Sequence, residues 1–453
     1  MRTEPRPARA PGALPLVGHV LPLMRDPLGF VRSLPAHGDL VEVRLGPVRT
    51  LVVCTPELTR QVLLDDRTFD KGGPVFGRFR EIAGNGLVSC PHADHRRQRR
   101  LLQPAFRRTR LPGYATVMAE QFAEGVGSWR DGQVIDVTAA MQMIAGRTGV
   151  ATMFTGALSA TDLARMVDDL NTVLTGIYRR VLLPPPFDRL PTPANRRYDR
   201  VRARLRRTLG ELIAAYRAHG VDRGDLLSVV LAGRDAPGDG RGLSETEVVD
   251  QLVTFFIGGT ESTAVTVSWA LNLLGRHPDV ADRLHEEVDE VLAGARPAFD
   301  DLPRLDLTGK IVTETLRLYP PAWMLTRTAT ADTELGGHAV PAGTPVAFSP
   351  YLVHHRADVH PDAERFDPDR WNAGNASPPP RDAVLPFGAG ARICIGADFG
   401  MTEATIALAT IAARWRLEHV SDRPVRPAIG LAMIPKDLRM RVRARVGGQV
   451  EVM

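Results

Sequence analysis

The chain has 453 residues, a formal net charge of +5, 44% hydrophobic residues and 24% charged residues, values that are ordinary for a soluble globular protein. Its cations are nearly all arginine, and because no nucleic-acid-binding motif accompanies them, we do not expect a nucleic-acid partner. The three cysteines are far apart in sequence, which argues against a disulfide framework and for a reducing cytoplasm.

The N-terminal segment is rich in proline and arginine and has no apolar run of about 20 residues, the length that a membrane span needs. It matches neither a signal peptide nor a membrane anchor, so the sequence predicts a cytoplasmic protein with no membrane span. A chain of this length could hold about three domains, but no linker separates them. We therefore expect a single domain over residues 1–453.

The N-terminal part of the chain mixes short strands with helices. Residues 40–45 and 51–54 are apolar and β-branched on either side of a Gly-Pro pair, which predicts a hairpin of two strands. A helix is predicted from about Glu57 to Leu64. Residues 70–90 are rich in glycine and are predicted to be a loop.

A basic helix is predicted at residues 92–102. Its His95 and Arg99 lie four residues apart and so share one face. A run of charges is most often a solvated helix face, and the residues alone do not decide against that interpretation.

The remainder of the chain is predicted to be largely helical. Residues 115–220 have mostly helical periodicity, whereas alternating residues from Leu325 to about Ser349 predict short strands. The sequence therefore predicts a fold that is mainly α, with a small β region at about 36–56 and 325–350.

A long apolar helix is predicted from Ser244 to about Gly275, and it begins with a capping-box pattern. The polar run Gly258-Gly259-Thr260-Glu261-Ser262-Thr263 interrupts it. Two adjacent glycines cost about 1 kcal/mol each in a helix interior. A carboxylate in an apolar core needs partners or water. This break in an otherwise apolar helix indicates a functional site rather than a packing feature.

A single cysteine near the C-terminal end lies in a glycine-rich loop, Phe387-Gly-Ala-Gly-Ala-Arg-Ile-Cys-Ile-Gly396. An apolar helix is predicted directly after it, so Cys394 would lie near a helix N-terminus, where the dipole favours a thiolate. A lone cysteine is most often an inert buried side chain. A phosphate loop is excluded because its pattern needs glycine at Ile393, and a zinc site is excluded because no C-x-x-C pair exists.

The ten-residue pattern F-G-x-G-x-R-x-C-x-G resembles the haem-binding signature of the cytochrome P450 family, the haem-thiolate monooxygenases. Three further family patterns occur in the same order, at residues 92–106, 258–263 and 314–317. The resemblance implies the cytochrome P450 fold, with haem b between a long central helix and the cysteine loop with its C-terminal helix. It also implies insertion of one atom of O2 into an unactivated C–H bond.

The resemblance further implies roles for single residues. Cys394 is implied to be the axial iron ligand, and Glu261 and Ser262 to relay protons during oxygen activation. Ser262 replaces the family's usual threonine, which keeps the hydroxyl but loses a methyl that restricts its rotamer. The residues implied to contact the haem are His95, Arg99, Arg327, Phe387, Arg392, Cys394 and Gly396.

A supporting cluster and a substrate pocket are implied in the same way. Glu314, Arg317 and Arg365 are implied to form a buried ionic cluster that holds the cysteine loop, with Arg365 taken from the P-E-R-F-like run Ala363–Phe366. The positions that the family uses to line its pocket are Phe76, Phe79, Thr254, Ile257, Gly258, Trp323, Met324, Leu431 and Met433.

Four shorter segments, residues 70–74, 176–180, 190–197 and 322–327, resemble actinobacterial sesquiterpene oxidases. They imply a hydrophobic substrate, a sesquiterpene hydrocarbon of the pentalenene type, in secondary metabolism and with successive oxidations at one carbon. Because the chain has no flavin or iron–sulfur motif, electrons are expected from a separate ferredoxin and its reductase.

Three alternatives remain at this point: a fatty-acid, polyketide or macrolide hydroxylase; a peroxide-driven haem-thiolate hydroxylase; and a non-catalytic haem protein that binds a ligand. The acid–alcohol pair Glu261 and Ser262 argues against peroxide chemistry, which needs no proton relay.

Overall fold

The computed structural model describes residues 7–155, 158–182, 190–219, 223–233, 240–374, 380, 383–430 and 432–445, and helices dominate these ranges. The helices are α1 (Val20–Arg25), α2 (Pro27–Ser33), α3 (Pro56–Leu64), α4 (Gly73–Ala83), α5 (His92–Leu102), α6 (Leu111–Gly127), α7 (Val137–Met153), α8 (Ala160–Leu182), α9 (Pro193–His219), α10 (Leu226–Ala232), α11 (Glu245–Leu274), α12 (Pro278–Leu292), α13 (Asp306–Leu318), α14 (Pro350–His354) and α15 (Ala397–Arg414). No helix within these ranges is both long and apolar enough to cross a membrane.

The strands are short and form small sheets. They are β1 (Ala8–Arg9), β2 (Leu40–Leu45), β3 (Val48–Val53), β4 (Phe69–Asp70), β5 (Val134–Asp136), β6 (Leu325–Ala329), β7 (Thr333–Leu335), β8 (His338–Val340), β9 (Pro345–Phe348), β10 (Trp415–His419), β11 (Pro427–Ile429), β12 (Met433–Pro435) and β13 (Arg439–Ala444). The predicted hairpin is β2–β3 and the predicted later strands are β6–β9, whereas β1, β4, β5 and β10–β13 lie outside the two predicted β regions.

The chain divides into two compact units that interleave in sequence, and the expectation of a single domain stays a prediction. The first unit comprises Met1–Gly77, Pro91–Ala93 and Leu316–Cys394. Its six-stranded sheet has the order β1-β2-β3-β9-β6-β4, with β3 and β9 parallel and β9 and β6 antiparallel. A core that includes Val53, Phe69, Phe348 and Leu385 packs with this sheet.

The second unit comprises Arg78–Cys90, Asp94–Thr315 and Ile395–Met453 and is mostly helical. Helix α11 packs against α7 and α15, and its Trp269 is completely buried. A three-stranded sheet of order β10-β13-β5 and the β11–β12 pair complete this unit.

Helix α11 begins and ends as its sequence predicts. The Ser244 hydroxyl accepts a hydrogen bond from the Glu247 amide (3.2 Å), and the Glu247 carboxylate accepts one from the Ser244 amide (2.7 Å). These reciprocal bonds satisfy two amides that a helix start otherwise leaves open. The helix then continues unbroken through the Gly258–Gly259 pair to Leu274.

The prediction of a loop over residues 70–90 is wrong for its central part, because Gly73–Ala83 is helix α4. Gly73 takes a φ of +77°, a backbone angle that glycine adopts without strain, and Pro74 follows at a position where a helix start tolerates proline. The glycines of this stretch therefore mark the start of a helix and one position within it, Gly77, rather than a continuous loop.

Candidate active site

The loop that carries Cys394 depends on glycines with left-handed backbone angles. Gly388 and Gly390 have φ values of +73° and +68°. A Cβ on Gly390 would lie 2.4 Å from the Leu63 carbonyl oxygen, so no other residue fits there without a shift. The Cys394 amide donates to the Phe387 carbonyl (2.9 Å) and closes the loop. Phe387 itself is half-buried.

Cys394 is exposed, whereas the other two cysteines, Cys54 and Cys90, are buried. Burial raises the pKa of the Cys54 thiol to about 12, so that sulfur stays protonated and inert. Helix α15 begins at Ala397 with Gly396 as its N-cap residue, directly after the loop. Of the three sulfurs, the one on Cys394 is therefore the one that can bind a metal ion as a thiolate.

Arg392, predicted to contact the haem, holds two carboxylates. Its guanidinium is 1% exposed and bonds Asp66 (2.9 Å) and Asp70 (2.8 Å). Burial alone would raise the pKa of Asp66, but hydrogen bonds from His92 and Arg392 outweigh it and lower that pKa below its ordinary value. These ion pairs fasten the cysteine loop to the segment that precedes α4.

Arg327 is a buried cation with no ion pair among the described residues. It is 5% exposed; one guanidinium nitrogen donates to the Thr326 carbonyl (2.8 Å), and the group lies over the Phe348 ring at 5.2 Å. Desolvation, followed by the charge of Arg392, lowers the pKa of Arg327 to about 10. A buried guanidinium without a carboxylate fits an anionic group such as a haem propionate.

The predicted proton-relay residues lie on one partly open stretch of α11. Ile257, Gly258, Gly259, Glu261 and Ser262 are exposed or half-buried, whereas the helix on both sides of them is buried. A Cβ at Gly258 or Gly259 would meet no atom of the described residues within 4 Å. The Ser262 hydroxyl donates to the Gly258 carbonyl (2.6 Å), so its oxygen keeps lone pairs that can accept another hydrogen bond.

Glu403 is a buried acidic residue that the sequence analysis missed. It lies on α15, is 2% exposed, and accepts a hydrogen bond from the Thr263 hydroxyl (2.8 Å). Burial raises the pKa of Glu403 to about 8 against the lowering effect of that bond, so the carboxyl is protonated at neutral pH. The signal was visible in the sequence as one carboxylate within a long apolar helix.

His95 and Arg99 lie one turn apart on α5, as their spacing in the sequence predicts. His95 is buried, Arg99 one turn later is half-buried, and Arg99 donates to the Gln103 side chain (3.3 Å).

Arg317 is completely buried, as is Glu314 one turn earlier on α13. The Arg317 guanidinium donates to the carbonyls of His354 (3.0 Å), Ala363 (2.6 Å) and Arg365 (3.0 Å). The Arg365 side chain is exposed, so the prediction that its guanidinium joins a buried cluster is wrong. Arg365 contributes its backbone carbonyl instead.

The buried arginine of this segment is Arg370, which the sequence analysis missed. It is 8% exposed and donates to the carbonyls of Pro361 (2.7 Å) and Asp362 (3.2 Å). The run Pro368-Asp369-Arg370-Trp371 fits the P-E-R-F pattern and keeps the proline that the predicted run lacks. Arg317 and Arg370 together hold residues 361–365.

The predicted substrate-pocket residues differ in exposure. Ile257, Gly258, Phe79 and Met324 present surface, whereas Phe76 and Trp323 are buried. Thr254 is also buried, and its hydroxyl has no hydrogen-bond partner in the described ranges. Met433 is completely buried and its carbonyl accepts from the Trp269 indole, which places it in the core. Leu431 lies outside the described residues.

Comparisons with known proteins agree with this geometry. The family model described as Cytochrome P450 matches residues 7–442. The chain is 48% identical over 441 residues to the pentalenene oxygenase of Streptomyces avermitilis, covering 97% of this chain and 98% of that protein. It is 47% identical over 412 residues to the cyclooctat-9-en-7-ol 5-monooxygenase of Streptomyces melanosporofaciens, covering 91% and 89%.

Among solved structures, the haem domain of cytochrome P450DA superposes with a TM-score of 0.88 at 28% identity and covers 98% of each chain. The mainly helical fold with small sheets is therefore that of the cytochrome P450 haem domain, and the cofactor is haem held by a cysteine thiolate. The enzyme acts on an organic substrate with O2 and receives electrons from redox partners. The chain belongs to the cytochrome P450 family and is a haem-thiolate monooxygenase.

Proposed function

We propose that this monooxygenase hydroxylates an unactivated C–H bond of a terpene in secondary metabolism, with a sesquiterpene hydrocarbon as substrate and further oxidation at the same carbon. The observation that carries the proposal is the 48% identity to a pentalenene oxygenase over 97% of the chain. The open stretch of α11 at Ile257 and Gly258 supports it, because it presents apolar and backbone surface beside the relay residues. A largely apolar wall suits a hydrocarbon.

A second substrate is favoured by a specific observation. The relative at 47% identity is named for an alcohol, cyclooctat-9-en-7-ol, rather than for a hydrocarbon. A terpene that already carries one hydroxyl is therefore the second candidate.

In this proposal each site residue has a separate task. Cys394 would bind the iron as a thiolate, and the side chains of His95, Arg99 and Arg327 would hold the two propionates. When bound, haem supplies the activation of O2. Glu261 takes protons from solvent, and the Ser262 hydroxyl passes them on.

We also assign the electron donor to a ferredoxin with its reductase. Arg96 and Arg100 on α5 and Arg107 and Arg108 after it are exposed and form a basic surface that suits a small acidic protein. Electron delivery by a ferredoxin fits the reducing cytoplasm, and so do three cysteines that are far apart in sequence.

Substrate class is tested by optical titration of the ferric holoenzyme with pentalenene, cyclooctat-9-en-7-ol and a long-chain fatty acid in parallel. A terpene that displaces the iron-bound water changes the Soret band, and we expect the hydrocarbon to do so at the lowest concentration. A response to the fatty acid alone would overturn the terpene assignment. A response to the alcohol alone would select the second candidate.

The relay is tested with Ser262→Ala and Ser262→Thr. Removing the hydroxyl is expected to lower product formed per electron pair by about tenfold or more, since a positioned proton-transfer group contributes about 100-fold to rate. Ser262→Thr keeps the hydroxyl and is expected to match or exceed the wild type. Product and released hydrogen peroxide are both measured against the reductant consumed. Equal yields from the alanine variant and the wild type would exclude Ser262 from the relay.

A further inference from the structure

The segment that leads into the cysteine loop is buried but belongs to no strand. Ala383 and Leu385 are 1% and 3% exposed, and their backbone polar groups are therefore cut off from water. The Ala383 amide donates to Pro380, and the Leu385 carbonyl accepts from Gly388. The Ala383 carbonyl and the Leu385 amide need other partners, because buried backbone groups without hydrogen bonds are costly.

His354 supplies the partner of the Leu385 amide. Its Nε2 lies 2.8 Å from that amide nitrogen, and its Nδ1 lies 3.1 Å from the Arg317 carbonyl oxygen. An amide only donates and a carbonyl only accepts, so Nε2 carries the lone pair and Nδ1 carries the proton. His354 is completely buried and performs both roles only as a neutral imidazole.

His360 supplies the partner of the Ala383 carbonyl. Its Nε2 lies 3.2 Å from that oxygen and must carry the proton, whereas its buried Nδ1 has no hydrogen-bond partner among the described residues. His360 is therefore the opposite tautomer to His354. The two rings meet edge to face with centroids 6.2 Å apart, and both side chains are completely buried.

The charged and titratable groups around the two rings disfavour imidazolium. Arg317 from α13 and Arg370 from the segment beyond His360 are cations, and His355 is the neighbouring titratable group on the α14 side. Desolvation is the largest effect that lowers the pKa of each ring, and the neighbouring charges lower it further. The pKa of His354 is well below its ordinary value, and that of His360 is about 4. Within the part of the chain that the structure describes, the charges that act on the two rings come from these arginines and from the histidines themselves.

We propose that His354 and His360 are positioning residues that hold residues 383–385, and through them the Cys394 loop, and that the His354 contact lasts only while its imidazole is neutral. The Leu385 carbonyl bonds Gly388, and the Phe387 carbonyl bonds the Cys394 amide, so the anchored segment is continuous with the loop. Protonation of His354 removes the acceptor of the Leu385 amide. His354 thereby sets the acid limit below which the anchored loop would no longer hold the Cys394 thiolate in place for a haem iron.

A matched set of variants of the holoenzyme tests this. His354→Gln places an amide oxygen near the Nε2 position and keeps an acceptor for Leu385 without a titrating group. His354→Asn reaches only the Nδ1 position and loses that acceptor. His355→Gln is the control, because its Nδ1 bonds the Tyr351 carbonyl within α14 and not the 383–385 segment.

The first readout is the Soret band of the ferrous carbon-monoxide complex, which distinguishes thiolate-bound haem from other ligation, recorded from neutral to acidic pH. We expect His354→Asn to lose part of the thiolate band already at neutral pH. His354→Gln is expected to keep it to a pH about one unit lower than the wild type, because the acceptor of the Leu385 amide is then no longer lost by protonation. The control is expected to follow the wild type.

The second readout is hydrogen exchange of the peptide that contains Leu385, which depends on neither activity nor spectrum. We expect about tenfold faster exchange in His354→Asn than in the wild type and little change in His354→Gln. The proposal fails if the wild-type Leu385 amide is unprotected at neutral pH. It fails equally if both His354 variants lose the thiolate band at the same pH as the wild type.

Discussion

At the scale of single residues, the free energy of unfolding depends more strongly on the buried ion pairs of Arg392 than on an ion pair at the surface. Its guanidinium is 1% exposed and its partners Asp66 and Asp70 are 12% and 15% exposed. Arg392→Gln leaves two nearly buried carboxylates without this cation, so we expect the free energy of unfolding to fall by about 3 kcal/mol. Denaturant titration at neutral pH measures the change.

The matched control is Arg443→Gln. Arg443 bonds Glu418 at 2.9 Å, but the two side chains are 46% and 48% exposed. An exposed pair is screened by water, and we expect a loss below about 1 kcal/mol. Equal losses in the two variants would show that burial around Arg392 does not strengthen its pairs.

Glu403 changes the free energy of unfolding with pH in the direction opposite to that of a salt-bridged carboxylate. Burial raises its pKa from 4.5 to about 8, so the folded state favours the protonated form. The resulting stability is present below pH 4.5 and is lost as the pH rises through about 8. Glu403→Gln keeps the shape without titrating. We therefore expect its stability relative to the wild type to increase by about 1 kcal/mol per pH unit between pH 5 and pH 8.

Denaturant titrations of both proteins across this range measure the difference. The amide also keeps an acceptor for the Thr263 hydroxyl, so a change of hydrogen bonding does not account for a slope. A difference that does not vary with pH would mean that Glu403 is ionised in the folded protein.

At the scale of elements, the glycine pair of α11 lowers the stability of the helix and leaves the space beside it open. A Cβ at Gly258 or Gly259 would meet no atom within 4 Å, so alanine fits at both positions. Alanine in a helix interior is favoured over glycine by about 1 kcal/mol. We expect Gly258→Ala to raise the thermal midpoint while weakening the optical response to a terpene, because the added methyl occupies the exposed stretch beside Ser262.

Gly309→Ala on α13 is the control, since a Cβ there also meets no atom within 4 Å and the residue lies outside the candidate site. It is expected to raise the thermal midpoint by a similar amount and to leave substrate binding unchanged. Weakened binding in both variants would show that helix stiffness, and not the methyl at Gly258, is responsible.

Elements with strong local signals were predictable from the sequence. Helix α11 has a capping box at Ser244 and a long apolar run, and its predicted bounds are confirmed. Helix α4 was not predicted, because the glycine at its start was interpreted as a loop signal. Strands β10–β13 were missed because short strands have weak periodicity and are stabilised by neighbours distant in sequence.

The candidate site was predictable where a residue's chemistry stands out in the sequence, as for Cys394 and the Glu261–Ser262 pair. The choice between Arg365 and Arg370 was not, because two adjacent runs fit one pattern and burial alone separates them. His354 and His360 were missed for a related reason. Their task is to bond backbone groups of residues 383–385, and no spacing in the sequence reports such a contact.

At the scale of the whole molecule, several described histidines have lowered pKa values and together outweigh Glu403 in the response to acid. Desolvation lowers the pKa of His285 and His360 to about 4 and that of His355 to about 3, and lowers that of His354 well below 6.5. A histidine with a lowered folded-state pKa contributes stability that is present above pH 6.5 and lost as the pH falls towards the folded-state value. Each contributes at most about 1.4 kcal/mol per pH unit.

Glu403 acts in the other direction, because its contribution grows as the pH falls from about 8 towards 4.5. The histidines prevail by number, and we expect the free energy of unfolding to drop by about 3 kcal/mol between pH 6.5 and pH 5.5. In Glu403→Gln the opposing contribution is gone, so the same drop is expected to be steeper by about 1 kcal/mol. Denaturant titrations of both proteins at these two pH values measure it. A stability that stays constant over this interval would mean that the buried histidines are already charged in the folded protein.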